Sequence, residues 1–225
     1  MSHRPCAILV VAKAPVAGLA KTRLAPAFGP EGAAELAAAA LLDTLVAVEE
    51  ADVGPRIVAI TGDLSEARRA GEITRLLEGF TVIGQRGEGF AERLSAAHAE
   101  AGALAGTPVL QIGMDTPQVS PAVLSDAAAS LTDDGVDAVF GPAVDGGWWA
   151  LGLTDPRMAS ALEGVPMSRP DTGVRTLAAL ADRGIVALRL PEMADVDSAE
   201  DVWSVADQVG EDSHFRITAD RYRPR

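Results

Sequence analysis

The chain has 225 residues, enough for one domain with a core that needs no disulfide or metal to hold it together. Hydrophobic residues are 48% and charged residues 23%, a balance that excludes intrinsic disorder, and a single cysteine excludes a disulfide framework or a cysteine-based zinc site. With 19 Lys and Arg against 32 Asp and Glu the net charge is −13, which argues against nucleic-acid binding while leaving room for a local cluster that takes a small anion.

Apolar, β-rich runs predict strands over Ala7–Val11, Arg56–Ile60, Thr81–Ile83, Pro108–Ile112, Ala138–Phe140, Trp148–Leu151 and Ile185–Leu190. Several are apolar almost throughout, as strands buried on both faces of a parallel sheet are. Cys6 opens the first run and reads as a buried strand residue. Helical spacing predicts helices over Glu31–Glu50, Ser65–Glu78, Phe90–Leu104, Pro121–Ser130, Thr172–Arg183 and Ala199–Gln208. The polar stretch 210–225 reads as a C-terminal tail or a short last element, leaving 1–209 as one domain. No run is long enough to span a membrane, and the short apolar stretch near the start lacks the form of a signal peptide, so a cytoplasmic protein is expected.

Strands alternating with helices predict a three-layer α/β fold with a mostly parallel sheet. Trp148–Leu151 follows its predecessor too closely for a helical crossover and is expected to be antiparallel. In such folds ligands sit at the carboxyl ends of strands, so segments directly after strands are the place to look for chemistry.

Four segments qualify. AKAPVAGLAKTRLAP follows the first strand and carries Lys13, Gly18, Lys21 and Arg23, a set suited to phosphate oxygens although it lacks the P-loop spacing. It equally reads as a surface loop. Asp115 follows a buried strand and is placed to hold Mg²⁺, or simply to cap its own turn. Asp145-Gly146-Gly147 carries the signal of a hairpin, and Trp148 and Trp149 after it point to opposite faces, one to the core and the other free to line a cleft. Asp195 and Asp197, two apart, share a face if extended; their mutual repulsion invites a divalent cation, or one of them caps the next helix.

Two further stretches are candidates. Gln85–Leu94, QRGEGFAERL, with Gln85 and Gly87, suits an anion or a nucleobase edge. MSRPDTGVR, with Arg169, Asp171, Thr172 and Arg175, is either an acceptor loop or a plain helix entry. His3, His98 and His214 are scattered, and no nucleophile elbow exists.

Taken together, AKAPVAGLAKTRL, GFAERL, IGMDTPQVSP, GPAVDGGWWALGL and DVDSAED resemble the glycosyltransferase-A-like transferases of the selenodomain-associated transferase 1 type, over about Ala7 to Trp203. The chain is more distantly similar to 2-phospho-L-lactate guanylyltransferases and molybdenum-cofactor nucleotidyltransferases. Many members carry Gly-Asp-Leu-Gly where this chain has Glu88-Gly89-Phe90-Ala91, and a tyrosine-rich pair where it has Trp148-Trp149. The resemblance implies the GT-A (nucleotide-diphospho-sugar transferase) fold. It implies Lys21 and Arg23 on phosphates, where Lys13 would join them, and Asp115, Asp195 and Asp197 on Mg²⁺ or Mn²⁺. Lys21, Asp115 and Asp145 become the catalytic set. Gly146, Gly147, Trp148, Arg169 and Thr172 fall to the acceptor.

The activity implied is transfer from a nucleoside triphosphate to a small phosphorylated acceptor, with pyrophosphate released. Glycosyl transfer from a nucleotide sugar to a hydroxylated acceptor is the alternative. The lack of a second Asp two residues after Asp115 tilts the reading toward nucleotidyl transfer. A non-catalytic nucleotide-binding regulator is the reading of another class. Neither nucleic acid nor membrane is an expected partner, and a homodimer is compatible with the sequence.

Overall fold

The computed structural model describes residues 6–223; His3 lies outside them. Seven strands form one sheet in the order β3-β2-β1-β4-β6-β5-β7. They are β1 (Ala7–Lys13), β2 (Arg56–Thr61), β3 (Thr81–Gly84), β4 (Val109–Ile112), β5 (Ala138–Pro142), β6 (Trp148–Leu153) and β7 (Ala187–Arg189). β6 alone runs antiparallel, paired with β4 on one side and β5 on the other, because a short hairpin joins it to β5. The remaining pairs are parallel.

The helices are α1 (Ala25–Glu50), α2 (Ala70–Leu77), α3 (Phe90–Ala105), α4 (Pro121–Ser130), α5 (Thr172–Ala181), α6 (Ala199–Ala206) and α7 (His214–Asp220). Successive β1 residues feed opposite layers. Ile8, Val10 and Ala12 pack with α1, α2 and α4; Ala7, Leu9 and Val11 pack with α3, α5 and a 3₁₀ segment over Pro156–Gly164. Burial on both faces is why the strand reads as a continuous apolar run. Cys6 is buried at its start, and burial pushes its thiol up to about 12, so it is an inert packing group.

α1 is buried nearly all round. Its Leu41, Leu42 and Leu45 face the sheet, while Leu24 and α1 residues Leu36 and Ala40 form a third core with Val202 and Val205 of α6 and Phe215 of α7. A helix between two apolar partners loses the one-sided stripe of a surface helix. Its first turns bend at Gly29, whose φ of 70° departs from helix geometry.

Three expectations need correction. The helix expected over 65–78 is a 3₁₀ turn, Leu64–Glu66, followed by α2, because Arg69 takes a left-handed φ of 53°. That backbone sends the Arg69 side chain to Glu35 Oε1 at 2.9 Å and Thr218 Oγ1 at 2.8 Å, a tertiary tie that local periodicity does not report. The strand expected over 185–190 shortens to β7. Of the two readings of the stretch after 210 the short last element holds, but it packs into the domain rather than lying outside 1–209: Phe215 is fully buried, and Asp43 accepts the backbone N–H groups of His214 and Phe215. Ser213 caps α7 locally, and Asp43 of α1, 171 residues away from His214 in sequence, takes the two N–H groups that Ser213 does not.

No helix among the described residues is long and apolar enough to cross a membrane.

Candidate functional site

One cavity of about 680 Å³ runs along the carboxyl edge of the sheet. It is lined from Gln85 and Thr61, past Lys13 and Asp115, to Ala143 and Trp148, so it crosses the ends of β3, β2, β1, β4, β6 and β5. Five strand spacings make that edge roughly 24 Å long.

Cations and carboxylates meet at its middle. Lys21 holds a left-handed backbone, φ 44° and ψ 46°, before a 3₁₀ turn over Thr22–Leu24. This is costly for a residue with a Cβ and marks an imposed conformation. It turns the side chain inward, leaving it 14% exposed, with Nζ 2.7 Å from Asp115 Oδ2 and 3.3 Å from Asp197 Oδ1. Arg23 pairs with the other oxygen of Asp197. Burial alone would lower the Lys21 pKa, but Asp115, with Asp197 and Asp195 behind it, outweighs burial and raises it. Burial would raise Asp197, but Lys21 and Arg23 hold its carboxyl below the usual value.

Asp195 behaves in the opposite way. It is paired with no cation among the described residues, and burial, then Asp115 and Asp145, push it up to about 6. Asp195 and Asp197 both line the cavity while Val196 between them is buried, its N–H bonded to Asp115 O at 3.0 Å. That bond ties the last carboxylates to the segment after β4. Gly113 leaves room for the Asp115 side chain: a Cβ there would meet Asp115 Oδ1 at 2.7 Å.

Asp115, Asp145, Asp195 and Asp197 thus outnumber Lys21 and Arg23 by two charges. This is hard-oxygen chemistry that suits Mg²⁺ or Mn²⁺. As arranged, however, no three acidic, histidine or cysteine side chains among the described residues form a group able to hold an ion, and the Lys21 ammonium stands between Asp115 and Asp197. The donor set fits a divalent cation in kind and charge once that ammonium moves.

The remaining candidates divide. Lys13 lines the cavity, and its Nζ donates to Leu19 O at 2.6 Å, closing the loop between them. Gly18 does not line the cavity; its requirement is a φ of 76° at an open turn. Asp145 Oδ1 accepts the Gly147 N–H at 2.7 Å. Gly146 does not line the cavity either. Its φ is 87°, and a Cβ would sit 2.0 Å from Pro170 O, so it lets the hairpin dock on the 166–173 loop. Gly147, Trp148 and Trp149 all border the cavity, but Trp149 is only 2% exposed and donates its Nε1–H to Pro191 O at 2.9 Å, so it serves mainly as a core residue.

Thr172 also borders the cavity, but its hydroxyl is occupied. It accepts the Arg169 N–H at 3.0 Å and donates to Pro166 O at 2.9 Å, which staples the loop. Arg169 lines the cavity with its side chain mostly exposed, 3.7 Å from Asp171. Beside it Ser168 takes a strained φ of 58°. Gln85 lines the cavity, and Gly87 does not. His98 is fully buried, bonded through Nδ1 to Gln111 Oε1 at 3.1 Å, and burial pushes it down to about 4, so it is a neutral core group.

Phe90, Arg93, Gln111 and Ser168 line the cavity without having been singled out by sequence. Phe90 and Arg93 stand inside the GFAERL stretch, where their helical position alone gives no sign of a cavity wall.

The fold has known counterparts. A protein provisionally named a nucleotide-diphospho-sugar transferase, from Desulfovibrio desulfuricans G20, superposes with a TM-score of 0.80 at 23% identity, over 100% of both chains. A cytidylyltransferase from Leptospira borgpetersenii gives 0.58 at 11% identity, over 97% of this chain and 94% of its own. The mannosyltransferase PcManGT from Pyrobaculum calidifontis, in complex with GDP-Man and Mn²⁺, gives 0.54 at 14% identity, over 97% of this chain and 65% of its own. These likenesses establish the nucleotide-diphospho-sugar transferase fold. No protein of curated function matches in sequence. Residues 44–169 match the family described as an uncharacterized protein conserved in bacteria, DUF2064.

Proposed function

The chain belongs to the DUF2064 family, and from its site we propose that it is a transferase acting on a nucleotide donor, in the first instance a nucleotidyltransferase. The observation that carries this is the meeting of Lys21 and Arg23 with Asp115, Asp195 and Asp197 at the middle of a cavity that continues past both sides of them. A nucleoside triphosphate fits such a cavity with its phosphates on the cations and its base toward β3. The end toward β5 is then left for the acceptor.

In this reading the oxygen of a small phosphorylated acceptor attacks the α-phosphorus, the bond to the bridging oxygen breaks, and pyrophosphate leaves. No protein nucleophile is needed. Lys21 and Arg23 neutralise phosphate charge, and Asp145, with one oxygen held by its own turn, orients the acceptor with the other. Gly147, Trp148 and Arg169 line that end. Asp115, Asp195 and Asp197 would hold a Mg²⁺ or Mn²⁺ ion, which supplies charge neutralisation on the transferring group when bound.

Glycosyl transfer is the second reading, supported by the mannosyltransferase among the fold's counterparts. Thermal unfolding with nucleoside triphosphates and nucleotide sugars, each with and without Mg²⁺, separates the two. A metal-dependent rise of a few degrees with triphosphates supports nucleotidyl transfer. A rise confined to nucleotide sugars replaces it with glycosyl transfer.

A further inference from the structure

The end of the cavity toward β3 contains side chains with unspent hydrogen-bonding capacity. Gln85 follows β3, and both hydrogens of its amide are engaged, with Ala12 O at 2.7 Å and Ala59 O at 3.0 Å. The two carbonyls fix the amide so that its nitrogen faces the sheet. Oε1 is left as an acceptor without a partner among the described residues, on a residue that lines the cavity.

Arg93 lines the same cavity from the first turn of α3. It differs from Lys21 and Arg23 in having no carboxylate within ion-pair distance among the described residues. Its side chain makes one long bond, Nη2 to Glu88 O at 3.4 Å, and its Nε is buried without a partner. Gly87 keeps the two residues on one wall. A Cβ there would meet Glu92 Cβ at 2.8 Å and Arg93 N at 3.1 Å, so the loop carrying Gln85 is seated against the helix turn carrying Arg93. Phe90, one turn earlier on α3, is 49% exposed and lines the cavity, an aromatic face outside the core.

A fixed acceptor, an unspent guanidinium fork and an exposed ring are what a planar heterocycle requires. We propose that Gln85, Phe90 and Arg93 form the nucleobase subsite of the nucleotide reading above, on which this inference rests, and that they select bases carrying both a ring carbonyl and an exocyclic amino group. Phe90 stacks on the base. Arg93 donates to two neighbouring acceptors, and Gln85 Oε1 accepts the adjoining N–H. Guanine offers O6 and N7 beside its N1–H and amino group; cytosine offers N3 and O2 beside its amino group. Adenine and uracil present no adjacent acceptor pair to a guanidinium, because an N–H donor or, between adenine N1 and N3, a C–H group separates their acceptors.

Isothermal titration of GTP, CTP, ATP and UTP in saturating Mg²⁺ tests this on the wild-type protein, Arg93→Met and Phe90→Ala. The wild type is expected to bind GTP or CTP at least about tenfold more tightly than ATP and UTP; which of the two binds names the base. Arg93→Met is expected to bring the four affinities within about threefold of one another. Phe90→Ala, at an exposed position, weakens all bound triphosphates by a similar factor. Equal wild-type affinities for the four overturn the inference. So does a preference that survives Arg93→Met, or a uniform loss in that variant, which would make Arg93 a phosphate contact. If no triphosphate binds the wild type, the nucleotidyl reading itself fails and this inference falls with it.

Discussion

Lys21 Nζ stands 2.7 Å from Asp115 Oδ2, so a loop residue after β1 neutralises a carboxylate after β4 in the place where a divalent cation would go. Under the proposed function, the phosphates of an arriving nucleotide would draw Lys21 off and leave the carboxylates open to the ion. Lys21→Met removes the resident charge. Mn²⁺ alone is expected to raise the unfolding midpoint of this variant by several degrees and that of the wild type by little, read by thermal unfolding in nucleotide-free buffer. Without Mn²⁺ the variant should be less stable by about 1–2 kcal/mol, since Asp115 and Asp197 lose a partner while remaining partly solvated.

Asp195 carries a stability cost that depends on pH. Its folded-state pKa is raised to about 6 from 3.8, so the folded protein holds this proton more tightly than the unfolded chain does. Stability therefore falls as pH rises from about 4 to 6, and the loss is complete above that. Asp195→Asn removes it. In chelator-treated buffer the variant should gain about 1 kcal/mol at pH 7, a figure reduced for the group's partial exposure, and nothing at pH 3.5. Urea unfolding across this range reads the difference.

Gly146 tests the docking of the hairpin on the 166–173 loop. Gly146→Ala combines a φ of 87° with a Cβ 2.0 Å from Pro170 O, an atom of backbone that cannot swing aside. A loss of about 2–4 kcal/mol is expected in urea unfolding. Gly18→Ala, with a similar φ but open space, should lose only about 1 kcal/mol.

Phe215 tests whether the last helix belongs to the domain. The ring is fully buried in the core shared by α1, α6 and α7. Phe215→Ala should cost about 3–5 kcal/mol in denaturant unfolding, whereas a loose tail would lose nothing.

Much of this was readable in the residues. The runs buried on both faces located the sheet, and the short Asp-Gly-Gly connection located its antiparallel strand. Asp195 and Asp197, two apart, do share the cavity face with buried Val196 between them. What escaped the sequence rests on distant partners. α7 has a local N-cap in Ser213, but the tie that holds it to the domain, Asp43 accepting the N–H groups of His214 and Phe215, comes from α1. Thr172 looked free to meet an acceptor, but its hydroxyl bonds at both ends within its own loop. Arg93 sits at an ordinary helical position, and only the folded chain shows that no carboxylate among the described residues lies within ion-pair distance of it. The left-handed backbone of Lys21 has no local signal either, since the carboxylates that hold it lie 94 and 176 residues on.

The most direct measurement is equilibrium binding of a fluorescent nucleoside triphosphate during Mn²⁺ titration, to the wild type and to Asp115→Asn. Wild-type binding is expected to tighten at least about tenfold with Mn²⁺, and Asp115→Asn is expected to abolish the metal-dependent part. Binding that ignores Mn²⁺, or that survives unchanged in Asp115→Asn, would contradict it.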